Sequence, residues 1–452
     1  MVQTKFLTDF TQGNIPKQIL TFTMPLYASN LLQILYTVAD MIIVGHVLGK
    51  VGLSAVSIGS DVANFLMFFA MGFANAGQVI IAQLLGAGKS RDLGRFIGNM
   101  MAFLFALAIV LTFVCLGLCE EILELMNTPP EALEEAFEFT AVIIGGLIFT
   151  YGYNAVSAIL RGLGDSRHPF IFIGAAAILN IVLDIILVIF LGIGAKGAAI
   201  ATVTSQGVSF IACVIFLYRN REELGFSISK FDFINLDKNL LSRFIKLGLP
   251  MAIKNASIYI SKIFVNSWIN SYGVEVSAFA GIANKINSIS YQLSQSLNTA
   301  GASMIGQNIG AMKFGRVKKI MQMIFVIALA ISAIMAAAVV FFPQIIFGLF
   351  THDPQILEIG YGYVPIAVIY FLGSACRSPM TALINGCGNY LANFSSALLD
   401  GLVMRIGLAV LLGLGLGMHE WGFWLGDALA GFTSLLIGGI LYRSGRWKKI
   451  ST

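Results

Sequence analysis

The sequence predicts an all-α membrane protein with twelve transmembrane helices, and three of its features support this prediction. Of its 452 residues, 57% are hydrophobic and only 11% are charged, whereas about 25% of residues are charged in a typical soluble protein. The apolar residues form continuous runs of roughly 20 residues or more, long enough to cross a bilayer as helices and without the alternation of a β-barrel. The two halves of the chain also repeat each other. Because lipid offers the backbone no hydrogen-bond partner, such runs must be helical.

The twelve predicted helices are the apolar runs that polar or glycine-containing connections separate. They span residues 18–46, 52–86, 94–119, 133–160, 168–191, 196–218, 243–272, 275–310, 317–342, 355–386, 391–417 and 421–442. The longest polar connection, 219–242, is predicted to be a linker between an amino-terminal six-helix lobe (1–218) and a carboxy-terminal six-helix lobe (243–452).

The internal repeat has a constant offset of 224 residues. It relates Gln83 to Gln307, each in a Gln-x-x-Gly-Ala turn, and Pro130 to Pro354. An even number of helices in each half keeps the two halves in the same orientation. The repeat therefore predicts two lobes related by a pseudo-two-fold axis along the membrane normal, with a binding site between them. This architecture is typical of a transporter.

The distribution of Lys and Arg predicts the orientation in the membrane. Alternate connections and both ends of the chain hold 21 of the 28 basic residues, and the opposite connections hold only Lys50 and Lys196. Since basic residues accumulate on the cytoplasmic side, both termini are expected in the cytoplasm and the protein in the plasma or inner membrane. The net charge of +5 then reflects topology and implies no nucleic-acid partner.

Three acids interrupt the apolar runs of the amino-terminal half: Asp40, Asp61 and Asp184. At 1.5 Å of rise per residue, all three and Thr202 fall roughly 9–14 Å below the outer surface. Tyr36 lies one helical turn from Asp40, and Asn180 one turn from Asp184, so each pair shares a helix face. The sequence therefore predicts a layer of oxygen-bearing side chains within the membrane.

Such a layer suits a coupling cation. Carboxylate, amide and hydroxyl oxygens are hard ligands that can hold Na⁺. They can equally hold a proton, because burial and mutual repulsion favour the neutral form of one carboxyl group. The alternative is that each acid is a structural hydrogen-bond partner, and Asp61 could simply face an outer vestibule.

The carboxy-terminal half carries mainly bases inside its apolar runs. They are Lys254, Lys262, Lys285, Arg377 and Arg405, against the acids Asp400 and Asp427. Two interpretations stay open for this half. Either Lys262, Arg405 and Asp400 line a substrate cleft for anionic or zwitterionic compounds, or the bases pair with the nearby acids and helix ends.

Asp61 and Lys285 are equivalent positions of the repeat. One hypothesis is that they form an ion pair across the outer end of the cleft when that side is closed. The alternative is that the Lys285 side chain reaches outward to the interface on its own.

At these residues the chain resembles the multidrug and toxic compound extrusion (MATE) family over essentially its whole length. The matching segments are Met24-Pro25, Ala39–Gly45, Leu160–Asp165 and Asn180–Asp184, together with the paired Gln-x-x-Gly-Ala turns. The aspartates of the first and fifth helices place the chain with the branch that resembles DNA-damage-inducible efflux proteins.

The resemblance implies export of organic, often cationic and aromatic, compounds in exchange for H⁺ or Na⁺, by alternating access. It also implies a cation site in the amino-terminal lobe, where Asp40 and Asp184 would ligate Na⁺. The implied site residues are Asp40, Asp184, Asn180 and Thr202, with Tyr36 and Asn154 as supporting partners. No cofactor beyond the coupling ion is expected, and the expected partners of the monomeric chain are a small-molecule substrate and the lipid bilayer.

Other classes of protein fit the sequence less well. A lipid-linked saccharide flippase of the same superfamily would explain the bases of the second half, but the acids of the first half would have no purpose. A major-facilitator transporter would also have two six-helix halves, without these acids. An enzyme is not expected, because the four histidines fall at predicted helix ends and no nucleophile with a base is visible.

Overall fold

The computed structural model describes residues 8–221, 223, 230–233 and 235–448, so part of the predicted linker 219–242 lies outside the described residues. Throughout the described part the chain is helical, and no strand occurs in it. This confirms the predicted all-α fold.

The amino-terminal half contains the predicted first six spans. Its helices are α1 (Ile15–Gly86), α2 (Ser90–Gly117), α3 (Cys119–Leu125), α4 (Leu133–Gly145), α5 (Leu147–Gly162), α6 (Arg167–Asp184) and α7 (Ala195–Arg219). The long α1 is two spans, because Gly49 interrupts it with φ 64°, a conformation that glycine adopts without steric cost. Helices α4 and α5 form one span bent by 45°.

The carboxy-terminal half repeats this arrangement. Its helices are α8 (Lys238–Asn270), α9 (Val274–Gly310), α10 (Phe314–Phe341), α11 (Pro343–Gly348), α12 (Pro354–Gly386), α13 (Tyr390–Leu398), α14 (Met404–Val410), α15 (His419–Ala430) and α16 (Thr433–Arg443). Here α13 and α14 together form one span, as do α15 and α16.

Eight helices of the described part are long and apolar enough to cross a membrane, or nine with the bent pair. Counting α1 as two spans, and adding the long but more polar α8 and α9, gives the twelve predicted spans. The polarity of α9 comes from buried side chains such as Asn287, Ser290 and Gln307. The chain is therefore a multi-pass membrane protein.

Short π-helical segments adjoin two of the buried acids. Helix α6 ends at Asp184 and continues as the π-helical segment Ile185–Phe190. A second π-helical segment, Leu399–Val403, joins α13 to α14 and contains Asp400. Such segments are rare and occur frequently at functional sites.

The chain divides into two compact units. Unit 1 comprises Met24–Gly248 with the short segment that ends at Asp9, and unit 2 comprises Phe10–Thr23 with the chain from Leu249 onwards. The start of α1 therefore belongs to the same unit as the second half of the chain, and the start of α8 belongs to the same unit as the first half.

Hydrogen bonds explain why the segment before α1 belongs to unit 2. The Phe10 N–H donates to the side-chain oxygen of Gln307 at 3.0 Å. The Phe10 carbonyl accepts from Asn308 Nδ2 at 3.0 Å and from Arg316 Nε at 2.8 Å. Gln307 and Asn308 stand at the end of α9, in the second Gln-x-x-Gly-Ala turn.

A corresponding attachment fixes the segment before α8 in unit 1. Asn99 donates to the Asp232 carbonyl at 2.7 Å and accepts from the Asp237 N–H at 2.7 Å. Arg243, near the start of α8, donates to the side-chain oxygen of Gln83. Hydrogen bonds thus hold the segment before α1 in unit 2, with the second half of the chain. They hold the segment before α8 in unit 1, with the first half.

Close packing of α14 and α15 depends on glycine. A Cβ atom added at Gly426 would lie 2.5 Å from the backbone nitrogen of Ala409, far inside van der Waals contact. A Cβ atom added at Gly439, in α16, would meet nothing within 4 Å.

We therefore expect Gly426→Ala to force α14 and α15 apart and to destabilise the protein by about 1–3 kcal/mol, the usual cost of overpacking. Thermal unfolding of the purified protein in detergent should show this as a lower midpoint temperature. Gly439→Ala is the matched control and should leave the midpoint unchanged or slightly higher, since alanine favours helix. Equal midpoints for the two variants would contradict this account of the packing.

Candidate functional site

The candidate cation site is built around two acids of unit 1. Asp40 lies in the first span of α1, and Asp184 is the last residue of α6 before its π-helical segment. Their carboxyl groups lie within hydrogen-bonding reach of each other. Two carboxylates are both acceptors, so this approach is favourable only when a proton or a cation lies between them.

Buried oxygen atoms without a donor surround this pair. Asp184 has no solvent exposure and Asn180 is 2% exposed. Both carboxylate oxygens of Asp184, one of Asp40 and the amide oxygen of Asn180 accept no hydrogen bond from the described residues. A buried polar atom left unsatisfied costs about 1–3 kcal/mol, so the group favours a positively charged or proton-bearing occupant.

Thr202 completes this group from the neighbouring helix α7. Its hydroxyl oxygen accepts a hydrogen bond from Asn180 Nδ2 at 3.4 Å, which turns the Asn180 amide so that its oxygen is free. Asn180 in turn lies one helical turn before Asp184 on the same face of α6. The predicted residues Asp40, Asp184, Asn180 and Thr202 are therefore neighbours in unit 1.

Tyr36 and Gln206 form the next layer of the site. Tyr36 lies one turn before Asp40, and its hydroxyl is within hydrogen-bonding reach of the Gln206 side chain. The side-chain oxygen of Gln206 has no donor among the described residues. The sequence analysis missed Gln206, although its position one turn after Thr202 in an apolar helix was a usable signal.

A cavity of about 140 Å³ adjoins Asp40 within unit 1. It is large enough for several water molecules, each of which takes about 30 Å³ in the liquid. Its polar lining residues are Tyr36, Thr37, Asp40, Ser60, Asn64, Thr150, Thr202 and Gln206. An ion can thus reach Asp40 through a space that is partly polar and large enough for water.

Two other candidates lie outside this lining. Asn154 donates to the carbonyl of Thr150, one turn earlier in α5, at 2.8 Å. Thr150 lines the cavity, so Asn154 is connected to the cavity by this hydrogen bond. Asp61 is not a lining residue, although Ser60 is. Asp61 and Lys285 belong to different units, and their pairing stays a prediction.

The oxygen atoms of the site are suitable ligands for H⁺ or Na⁺. They belong to two carboxylates, one amide and one hydroxyl, which are the hard oxygen ligands that Na⁺ takes. Among the described residues, no group of three or more His, Cys, Asp or Glu side chains could hold a metal ion. The same carboxylates could share a single proton instead.

Unit 2 contains a second, separate group of buried charges. Arg377 donates to Asp400 Oδ1 at 2.6 Å. Arg405 approaches the same oxygen at 3.6 Å and is paired with Asp427 through its other terminal nitrogen. The two arginines of the carboxy-terminal half are therefore paired with acids, as the second interpretation of these bases predicts.

The two lysines of this group have no acid partner among the described residues. Lys254 is 8% exposed and donates to the hydroxyl of Ser396 at 2.8 Å. The Lys262 ammonium group lies over the ring of Tyr291, 4.8 Å from its centre. Pairing with acids thus accounts for the arginines and leaves the lysines unexplained.

Comparison with known proteins identifies the family of this chain. The family model described as MatE matches residues 25–186 and 250–418, one stretch in each half. The chain belongs to the MatE family. The members of this family that it matches are transporters, so the chain is a transporter and not an enzyme. No comparison addresses the DNA-damage-inducible branch, which stays a prediction.

The chain is similar to curated relatives over nearly their whole length. It is 28% identical to the probable multidrug resistance protein YpnP of Bacillus subtilis, over 97% of each chain. It is 25% identical to the probable multidrug resistance protein NorM of Thermotoga maritima, over 96% of this chain and 94% of that protein. It is 22% identical to the multidrug export protein MepA of Staphylococcus aureus, over 95% and 94%.

Solved structures share the fold. One is described as the outward-facing conformation of a multidrug resistance MATE family transporter; it has a TM-score of 0.89 and 24% identity, over 99% of this chain and all of that one. Another, from Pyrococcus furiosus, has a TM-score of 0.88 and 24% identity over the same shares, and its binding pocket is described as having reverse polarity.

The geometry of the acid pair predicts how it reacts with a hydrophobic carbodiimide, which modifies protonated carboxyl groups inside membranes. We expect the reagent to label Asp40 or Asp184, and the labelling to fall as the pH rises, because deprotonation removes the reactive form. Mass spectrometry of peptides would locate the label. An excess of Na⁺ should reduce the labelling if Na⁺ binds the same oxygens.

The control for this labelling is Glu120→Gln, which removes an exposed acid at the start of α3 and should leave the label in place. The double variant Asp40→Asn/Asp184→Asn should lose it. Undiminished labelling of the double variant, with the label elsewhere in the spans, would contradict this assignment.

Proposed function

We propose that this chain is a cation-coupled antiporter that exports organic compounds, with H⁺ or Na⁺ as the coupling ion. The observation that carries the proposal is the approach of Asp40 and Asp184 to each other inside the membrane, with unpartnered oxygens around them. The names of the relatives, which are multidrug resistance and multidrug export proteins, support efflux of organic compounds.

The coupling follows from electrostatics in a medium of low dielectric constant. Without an occupant, two adjacent carboxylates repel each other strongly. A proton or Na⁺ that enters from outside removes this repulsion and draws the first span of α1 towards α6. When the ion leaves to the cytoplasm, the repulsion returns and favours the other arrangement of the two helices.

The two helices that carry the acids contain features that permit such a change. Pro25 interrupts the hydrogen-bond ladder of α1, because proline has no backbone N–H. The segment that follows Asp184 is π-helical, a conformation that is rare and frequent at functional sites. The two acids can therefore move while the rest of the amino-terminal lobe keeps its structure.

Alternating access supplies the transport cycle. The compound binds from the cytoplasm, and cation binding at Asp40 and Asp184 favours its release outside. In this cycle Asn180 and Thr202 are ligands, and Tyr36, Gln206 and Asn154 support them. We place the protein in the plasma or inner membrane as a monomer with both termini in the cytoplasm, since that side collects the basic residues.

A second candidate function is export of anionic or zwitterionic compounds by the same coupling. It is favoured by Lys254 and Lys262, which have no acid partner among the described residues. A lipid-linked saccharide flippase would use the same bases, but that function does not explain the acid pair of unit 1.

Transport by proteoliposomes tests the coupling site. We expect gradient-driven export of a fluorescent organic compound by the native protein, and a loss of at least tenfold in Asp40→Asn and Asp184→Asn, because neither can hold the ion between two carboxylates. Separate Na⁺ and proton gradients identify the ion. Thermal unfolding midpoints would check that both variants are folded.

Glu120→Gln is the control for this experiment, because it removes a carboxylate that is exposed outside the spans. It should transport like the native protein. Full gradient-driven transport by Asp184→Asn would overturn the proposed coupling site.

A further inference from the structure

The interior of unit 2 has an excess of positive charge. Apart from Glu420 in the first turn of α15, its buried or partly buried Lys, Arg, Asp and Glu side chains on α8, α12 and the chain from α13 to α15 include more bases than acids. The bases are Lys254, Lys262, Arg377 and Arg405, and the acids are Asp400 and Asp427. Four bases against two acids leave a formal excess of two positive charges. Inside a membrane such charge is costly and usually marks a functional site.

Each of the two acids is paired with an arginine. Arg405 is 1% exposed and lies between Asp400 and Asp427, so it connects the two acids as a structural element. Arg377 contacts the same Asp400 oxygen that Arg405 approaches. The excess charge therefore resides on the lysines.

The lysines and Arg377 border a common region. Lys254 and Lys262 are two turns apart on α8. Both are close enough to Arg377 and Asp400 to interact with them electrostatically. Tyr291 lies beneath the Lys262 ammonium group and also near Arg377. The region thus combines cationic groups with an aromatic ring.

The hydrogen-bonding capacity of this region is mainly that of donors. Arg377 is 8% exposed, and its Nε finds no acceptor among the described residues. The Lys254 ammonium has three N–H donors, and it donates to the neutral hydroxyl of Ser396. Asp400 Oδ2 is an unpartnered acceptor in the same group, but two arginines already neutralise this carboxylate. An occupant with several acceptor oxygens and a negative charge would satisfy these donors.

We propose that unit 2 contains a binding site for the anionic group of an organic acid, with Lys254 and Lys262 as its ligands and Tyr291 as a surface for an aromatic portion. This inference rests on the proposed export function and specifies the class of compound exported. Cation and cargo would then bind in different units, each through groups of opposite charge, and would not compete for the same carboxylates.

The test is a comparison of two probes that differ only in charge. Pyrenebutyrate and its methyl ester have the same aromatic group, and their binding to the purified protein in detergent can be followed by fluorescence anisotropy. We expect the acid to bind at least tenfold more tightly than the ester, because only the acid has an anionic group for the lysines.

Three variants examine the lysines in this assay. Lys254→Met and Lys262→Met should each reduce the preference for the acid to about threefold or less, while ester binding stays the same. Lys262→Arg should keep the preference, because it keeps the charge. Lys50→Met is the control, since Lys50 is exposed at the outer end of the first span. Equal binding of acid and ester by the native protein, or an unchanged preference in both methionine variants, would overturn the proposal.

Further arms separate this inference from its alternatives. Asp184→Asn should keep the preference for the acid while losing transport, so failure of the anion site and failure of the coupling site give different results. An anionic lipid headgroup presents the same chemistry as an organic acid. If phosphatidylglycerol in nanodiscs displaces pyrenebutyrate and native proteoliposomes export no organic acid, the site holds lipid and the proposed class of cargo is wrong.

Discussion

The membrane interior supplies neither hydrogen-bond partners nor screening for charge, and this constraint governs the rest of the structure. It makes the described chain helical, since a helix satisfies its own backbone. It also makes every ionisable side chain within the spans expensive unless a partner compensates it. Arg405 illustrates the rule, because it is almost fully buried yet lies between Asp400 and Asp427. Groups that break the rule, such as Asp184 and Lys254, are therefore the informative ones.

The two halves have kept one fold while their charges have diverged. At the repeat offset, Asp40 corresponds to Phe264 and Asp184 to Leu408, so the carboxy-terminal half has apolar residues where the amino-terminal half has the two acids of the candidate site. Conversely, Arg405 corresponds to Ile181. A duplicated fold needs the same turns and spans in both halves, but it needs a coupling ion only once. The half without these two acids is available for another task.

The sequence alone predicted the spans because long apolar runs and the Gln-x-x-Gly-Ala turns are local features. It also predicted a similar depth for Asp40 and Asp184, since depth along a helix follows from counting residues. It did not predict the π-helical segment after Asp184, whose backbone register depends on packing. Nor did it predict the sharing of Arg405 between two acids or the role of Gln206, because side-chain partners across helices depend on how the helices rotate against one another.

The attachments at the start of α1 and α8 show how events within one unit can affect the other. The division between the units falls one residue before Pro25 in α1 and one residue before Pro250 in α8. At each proline the backbone lacks a hydrogen-bond donor. Gln307 and Asn308 hold Phe10 in unit 2, so α1 begins in unit 2 and continues through unit 1. We proposed above that unit 2 binds the cargo. The helix that carries Asp40 is thus continuous with a segment that is fixed in this cargo-binding unit. Ion binding that displaces α1 would then be transmitted along a helix, and the proline is where the strain would be relieved.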